Sequence, residues 1–226
     1  MIHKEIVLGK IDTAEAIRYM GYREGSPDRQ LLDIIVRCEK ELLQVMAPRY
    51  CYKVFDIVRT EDSVKLKNSS LVLKGESIRT HLKDCEKAVI MCATLSGEVD
   101  KIIRLGSIRG MTNALVLDAL ANAAIEQVCD EVESIIMTEF QNYHHTWRFG
   151  VGYGDFPLST QKLLLDTIDA GKRIGVCATD SSILTPGKSV TCVIGLSKQK
   201  QEKKKSCSNC DMKDRCSFRQ KGATCS

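Results

Sequence analysis

The sequence predicts an α+β domain, mixed helices around a twisted antiparallel sheet, with a small cysteine-rich appendage at the C-terminus. Three observations predict it. Helical and strand-like hydrophobic periodicities follow one another without a regular βαβ rhythm. The 226 residues, 43% apolar and 27% charged, are enough for one substantial core. Four of the eleven cysteines crowd into the last twenty residues, apart from the apolar segments.

The elements follow in order. Asp12-Thr13 before AEAIRYM, with Gly21 after it, reads as a short capped helix with a glycine stop. Ser26 as N-cap and Pro27 at the first helical position open a second helix, carrying Leu31, Leu32, Ile35, Leu42, Leu43 and Met46 at helical spacing until Pro48. YCYKVFDIV, SVKLK and SLVLK read as a small antiparallel group of strands. GESIRTHLKDC reads as helix, and AVIMCATL as a buried strand. SGEVDKIIRLGS and the long segment from Thr112 to Phe140 read as helices. The second offers Leu115, Ala119, Ala123, Ile125, Val128, Val132 and Ile136 for a buried stripe. Its alanines (Ala119, Ala121, Ala123, Ala124) permit close approach by a neighbour. A helix through STQKLLLDTIDAG and strands IGVCAT and SVTCVIGLS complete the body, with no internal repeat.

Lys198 to Lys205 (KQKQEKKK) has the composition of a solvated linker, so the chain divides into a body over 1–197, a basic linker over 198–205 and a cysteine-rich tail over 206–226. From Lys198 onward there are nine Lys and Arg against three acids, leaving 24 basic and 26 acidic residues in the body. A near-neutral body and a tail without interleaved aromatics argue against nucleic-acid binding. No stretch reaches the roughly 20 apolar residues of a membrane span, and the N-terminus does not read as a signal peptide. The expected location is the cytoplasm. Cys38, Cys51, Cys85, Cys92, Cys129, Cys177 and Cys192 are scattered singly among apolar segments and are expected as reduced core thiols. The pair His144-His145 is expected in a surface loop.

The segment WRFGVGYGDFPLSTQK sets Gly150, Gly152 and Gly154 at alternating positions, bracketed by Arg148 and Tyr153. Such glycines allow close approach by a ligand. An arginine grips a carboxylate through parallel hydrogen bonds, and a tyrosine face suits a sulfonium or an adenine. Alone, these features also describe an ordinary glycine-rich turn with a surface arginine. The spacing is not that of a dinucleotide fingerprint, and no P-loop lysine follows.

This segment, with GVCATDSSILTPGKSVTC after it, resembles the activation domain of cobalamin-dependent methionine synthases. That family carries Arg-Pro-Ala-Pro-Gly-Tyr-Pro, a Thr-Glu-Lys helix start, a Leu-Thr-Glu-Ser segment and a Pro-Gly/Ala-x-Ser-Val-Ser turn. Arg148, Gly150 and Gly152-Tyr153 match the first motif, and Pro157, Thr160 and Lys162 the helix start, with Gln161 at the glutamate. Thr179-Asp180-Ser181 and Pro186-Gly187 through Ser189-Val190-Thr191 match the rest. Val151 and Gly154 replace the family's prolines. A family acid on the long helix falls near Asn122, with Asp118 and Glu126 one turn to either side. The family's further strand, with its tyrosine, gives way here to the lysine-rich linker.

The resemblance implies S-adenosylmethionine (AdoMet) as ligand, with Arg148 for its carboxylate, backbone near Gly150 and Gly152 for its polar groups, Tyr153 for packing, and Asp118 or Glu126 as pocket acids. It implies no general acid or base, and an accessory role in reductive methylation of cob(II)alamin rather than an independent enzyme. The cobalamin would be presented by a separate methionine synthase lacking this module. The electron would come from a donor such as a flavodoxin or a ferredoxin.

Cys207, Cys210, Cys216 and Cys225 give C-x2-C-x5-C-x8-C, a thiolate set for a [4Fe–4S] cluster or for zinc. The absence of histidine and of a second C-x2-C pair, and the need for a low-potential electron, favour iron–sulfur. A competing reading is a non-catalytic iron–sulfur or zinc electron-delivery protein for another corrinoid methyltransferase. A third is a zinc-stabilised nucleic-acid regulator.

Overall fold

The computed structural model describes residues 5–22 and 27–200. The cysteine tail and most of the linker therefore lie outside the described residues. The described residues form the expected α+β arrangement, a seven-stranded antiparallel sheet with helices on both faces and a separate two-stranded hairpin.

Two N-terminal helices come first. Asp12 caps α1 (Thr13–Tyr19) by accepting from the Glu15 N–H at 3.0 Å. The second helix, α2 (Arg29–Val45), starts later than the sequence suggests. Its cap is Asp28, whose carboxylate accepts from the Leu31 N–H at 2.8 Å in an extended backbone conformation. A carboxylate one residue beyond Pro27 takes the role assigned to Ser26, which lies outside the described residues.

The sheet is built from β1 (Arg49–Arg59), β2 (Ser63–Leu66), β3 (Val72–Lys74) and β4 (Lys87–Thr94), with β5 (His144–His145), β6 (Phe149–Gly150) and β9 (Ser189–Ser197). Its order is β3-β2-β1-β4-β9-β5, with β6 also pairing with β9, and every pairing is antiparallel. The central strand β4 is apolar throughout because both of its faces are covered. Val89, Met91 and Ala93 join one hydrophobic cluster, and Ala88, Ile90 and Cys92 join the other. Period-two alternation thus sorts one strand between two cores.

The first core lies under α1, α2, α4 (Gly97–Arg109) and the 29-residue α5 (Met111–Glu139). Ala119, Ala121, Ala123 and Ala124 are all buried there, as their size predicts. Gly106 lets α4 approach α5, since a Cβ would sit 2.9 Å from Leu117 Cδ1. Leu115 departs from the expected stripe and is 54% exposed. It sits three and seven residues before Asp118 and Asn122, on the polar face of α5.

The second core lies under α3 (Glu76–His81), α6 (Thr160–Thr167) and α7 (Ala170–Ile174). The expected single helix through STQKLLLDTIDAG is two, because Asp169 adopts φ 57° between them. IGVCAT is not a strand of the main sheet. Only Cys177–Ala178 (β7) pairs, with Leu184–Thr185 (β8), as the Thr179 hydroxyl accepts the Ile183 N–H and turns the chain back. Cys177, expected in the core, is exposed on this hairpin; the other six described cysteines are buried and free. His145, expected in a surface loop, is buried against Leu196 of β9, while His144 is exposed. Among the described residues no helix is long and apolar enough to cross a membrane.

Candidate ligand-binding site on the polar face of α5

The glycine segment leaves the sheet as β6, whose Phe149 and Gly150 pair with Val193 and Cys192. The N–H of Tyr153 then donates to the Gly150 carbonyl at 3.3 Å and that of Phe156 to the Tyr153 carbonyl at 3.0 Å. The N–H of Gly152 closes the turn on the Phe156 carbonyl at 3.0 Å. Gly152 and Gly154 hold φ of 89° and 56°, a region costly for residues with a Cβ. The Phe156 side chain is buried in the second core and anchors the loop. Tyr153 stays 68% exposed, its ring lying against Gly150, where a Cβ would stand 3.2 Å from Cδ2.

Arg148 points from this segment onto α5. Its Nη1 donates to Asp130 Oδ1 at 2.6 Å and Glu133 Oε2 at 3.0 Å, and its Nη2 to Glu126 Oε2 at 2.9 Å. Only 14% of the side chain is exposed. Burial works against the guanidinium charge, but the Asp130 hydrogen bond and the surrounding negative charge outweigh it and raise the pKa. His145 Nδ1 lies 3.0 Å from Glu133 Oε1, extending the network to β5.

The second matching segment reaches the same helix. Lys188 Nζ lies 2.7 Å from both Asn122 Oδ1 and Asp118 Oδ1, and the Gly187 N–H donates to Asp100 Oδ2 of α4 at 2.8 Å. Asp118, Asn122, Glu126, Asp130 and Glu133 form one polar stripe along α5, at spacings of three and four residues. Four carboxylates of the stripe meet two cations, Arg148 and Lys188, so the face keeps a surplus of negative charge. A sulfonium or ammonium group suits such a face better than an anion.

The expected residues are therefore neighbours in space. Arg148, Gly150, Gly152 and Tyr153 form one segment, and Glu126 binds Arg148 directly. Asp118 is two helical turns further along, held by Lys188 rather than by the loop. Asp130, Glu133 and Lys188 were not singled out in the sequence. The carboxylate spacing of four and three residues after Glu126 was the legible signal for the first two. Among the described residues no group of three or more His, Cys, Asp or Glu is placed to hold a metal ion. A notch of about 350 Å³ with a mixed lining lies on the opposite sheet face, bounded in part by Lys53, Phe55, Asn68, Leu163 and Asp166. Its cation is already engaged, with Lys53 Nζ 2.6 Å from Asp169 Oδ2 and 3.0 Å from the Thr167 carbonyl.

Fold and site together define an α+β module with a glycine loop braced against an acidic helix face. No family model and no curated protein matches the chain. Thirteen chains among the solved structures do match. One is the crystal structure of the MetH reactivation domain bound to AdoHcy, with a TM-score of 0.65 at 14% identity, covering 95% of this chain and 82% of that one. The chain has the fold of that reactivation domain.

Proposed function

We propose that the chain binds AdoMet on the loop from Arg148 to Asp155, beside the polar face of α5, and supports reductive reactivation of a separate cobalamin-dependent methionine synthase. The observation that carries the reading is spatial. Two segments matching the activation-domain motifs, separated by twelve residues in sequence, converge: Gly150 pairs with Cys192, and Gln161 Nε2 donates to Thr191 Oγ1 at 2.6 Å inside the core. The likeness to a reactivation domain solved with AdoHcy, the demethylated product of AdoMet, supports it.

In this reading the synthase presents cob(II)alamin, and a donor such as a flavodoxin or ferredoxin supplies one electron to give cob(I)alamin. The cobalt nucleophile takes the methyl group from the AdoMet sulfonium, leaving methylcobalamin and AdoHcy. This chain contributes proximity and orientation. The loop amides and carbonyls meet the polar groups of the ligand, Tyr153 covers one face of it, and the carboxylates of Glu126 and Asp130 offset its positive charge. Arg148, already turned toward α5, would share its donors between those carboxylates and the ligand carboxylate. Asp118, bound to Lys188, would fix the far wall of the site.

Cys207, Cys210, Cys216 and Cys225 supply a thiolate set suited to a [4Fe–4S] cluster, which when bound would provide one-electron chemistry, or to structural zinc. The linker before them would then act as a tether from a body ending at Ser197.

Titration calorimetry of the full chain with AdoMet and AdoHcy tests the ligand. The expected result is saturable heat with both, lost with Arg148→Ala. No heat with either, on folded protein, rejects this reading in favour of a non-catalytic accessory protein for another corrinoid methyltransferase.

A further inference from the structure

The helix α3 has no cap of its own. Its cap residue is Gly75, which carries no side chain to accept the first N–H groups. Asp155, at the far end of the glycine loop, supplies the missing acceptors. Its Oδ2 takes the Glu76 N–H at 2.6 Å and its Oδ1 takes the Ser77 N–H at 2.8 Å. Ser77 Oγ in return accepts the Asp155 N–H at 3.5 Å. These are the reciprocal bonds of a capping box, made between segments 78 residues apart. Gly75 allows the approach: a Cβ there would stand 2.9 Å from both the carbonyl oxygen and Oδ1 of Asp155. The N–H groups of Ser77 and Glu76 hold the Asp155 carboxyl below its ordinary pKa, so the acceptor is charged at neutral pH.

The other end of α3 holds the start of the same segment. His81 Nε2 lies 2.7 Å from Thr146 Oγ1, and its ring packs 4.6 Å from that of Trp147 and 4.8 Å from that of Phe149. One short helix thus grips the segment before Arg148 and again after Gly154. Between the two grips lie Arg148, Gly150, Gly152 and Tyr153; Gly150 also pairs with Cys192 and the Gly152 N–H bonds the Phe156 carbonyl, so the grips add to a glycine loop that these contacts hold in part.

We propose that Asp155 is a positioning residue: by capping α3 it fixes the Gly150–Gly154 loop in the conformation that receives AdoMet. The proposal rests on the ligand reading above. Asp155 touches no reacting atom. It spares binding the cost of ordering the loop.

The test compares the full-length wild type with Asp155→Ala and Asp155→Asn. Asparagine keeps only one of the two acceptor oxygens that Asp155 presents to the Glu76 and Ser77 N–H groups, so it serves as a partial rescue. Amide exchange by mass spectrometry reads the loop, and calorimetry with AdoMet reads the ligand. In Asp155→Ala, exchange over 150–156 and at Glu76 and Ser77 should quicken, and the AdoMet Kd should rise about tenfold, the equivalent of one lost cap. Asp155→Asn, which can accept one of the two N–H bonds, should fall between Asp155→Ala and wild type in both readouts. Unchanged loop exchange in Asp155→Ala overturns the proposal, and so does quickened exchange with wild-type AdoMet affinity. A wild type that gives no heat, while its loop still loosens in Asp155→Ala, removes AdoMet as the ligand and upholds the clamp.

Discussion

Gln161 and Thr191 form a buried side-chain pair that ties α6 to strand β9, with Gln161 Nε2 donating to Thr191 Oγ1 at 2.6 Å. Both residues are less than a tenth exposed. Gln161 stands where the activation-domain motif carries glutamate, and a neutral amide suits this place because it needs no counter-charge. Replacing Gln161 with Leu leaves the Thr191 hydroxyl without this donor and should cost about 1–3 kcal/mol. The double variant Gln161→Leu with Thr191→Val should recover most of that loss, since two apolar partners owe no hydrogen bond. Urea unfolding of the three proteins reads the coupling. Additive losses would show that the pair is not coupled.

His81 makes a pH prediction. Burial pushes its pKa from 6.5 down to about 4, opposed only in part by the nearby carbonyls of Trp147 and Val193; its Nδ1 has no well-aligned partner. The folded chain therefore prefers the neutral ring, and below pH 6.5 the unfolded chain takes up a proton that the folded one refuses. Stability from this group is full above pH 6.5 and is lost progressively as pH falls toward about 4, amounting to about 3 kcal/mol. His81→Gln should flatten the stability profile between pH 6.5 and 4, as measured by denaturant unfolding at several pH values. An unchanged slope would assign the acid sensitivity to other groups.

The fold was legible where periodicity and punctuation agree. AVIMCATL gives β4 and SVTCVIGLS gives β9 because both strands are covered on two faces, and a continuous apolar run is what such strands require. Asp12 and Gly21 bound α1 because a carboxylate cap and a glycine stop act locally. The departures arise from contacts across the fold. His145 is buried because β5 pairs with β9, a contact 51 residues away that no local pattern announces. Asp169 splits one apparent helix in two, with its carboxylate drawn to Lys53 on β1. At the site, the loop was visible as a motif, but its bracing was not. Asp155 caps a helix 79 residues before it, and Lys188 finds Asp118 across 70 residues. The carboxylates that hold Arg148 sit at helical spacing on α5, yet nothing in the sequence says which cation they face.

Cys177 gives a chemical check on the second core. Six of the seven described cysteines are buried, and burial raises the thiol pKa of Cys51 to about 11 and of Cys85 to about 12. Thiolate, not thiol, is the nucleophile, so these groups should resist alkylation in the folded protein. Brief treatment with iodoacetamide near pH 8, in a chain with serines at 207, 210, 216 and 225, should modify Cys177 first and alone. Peptide mass spectrometry locates the label. Labelling of Cys51 or Cys85 at a comparable rate would mean that the second core opens far more readily than its packing implies.

The tail prediction separates two metals with different spectra. An iron–sulfur cluster absorbs in the visible region, whereas zinc has a filled d shell and is colourless. If Cys207, Cys210, Cys216 and Cys225 hold a [4Fe–4S] cluster, anaerobically purified protein should be brown and should lose that absorbance with Cys207→Ser and Cys210→Ser together. The body should be indifferent to that change. Among the described residues the two cores are built from positions 6–196, and no group of three or more His, Cys, Asp or Glu is placed to hold a metal ion. AdoMet affinity and the unfolding midpoint of the body should therefore match wild type in the double variant. A colourless protein with one equivalent of zinc, released by the same substitutions, would make the tail structural and leave electron delivery wholly to a separate donor.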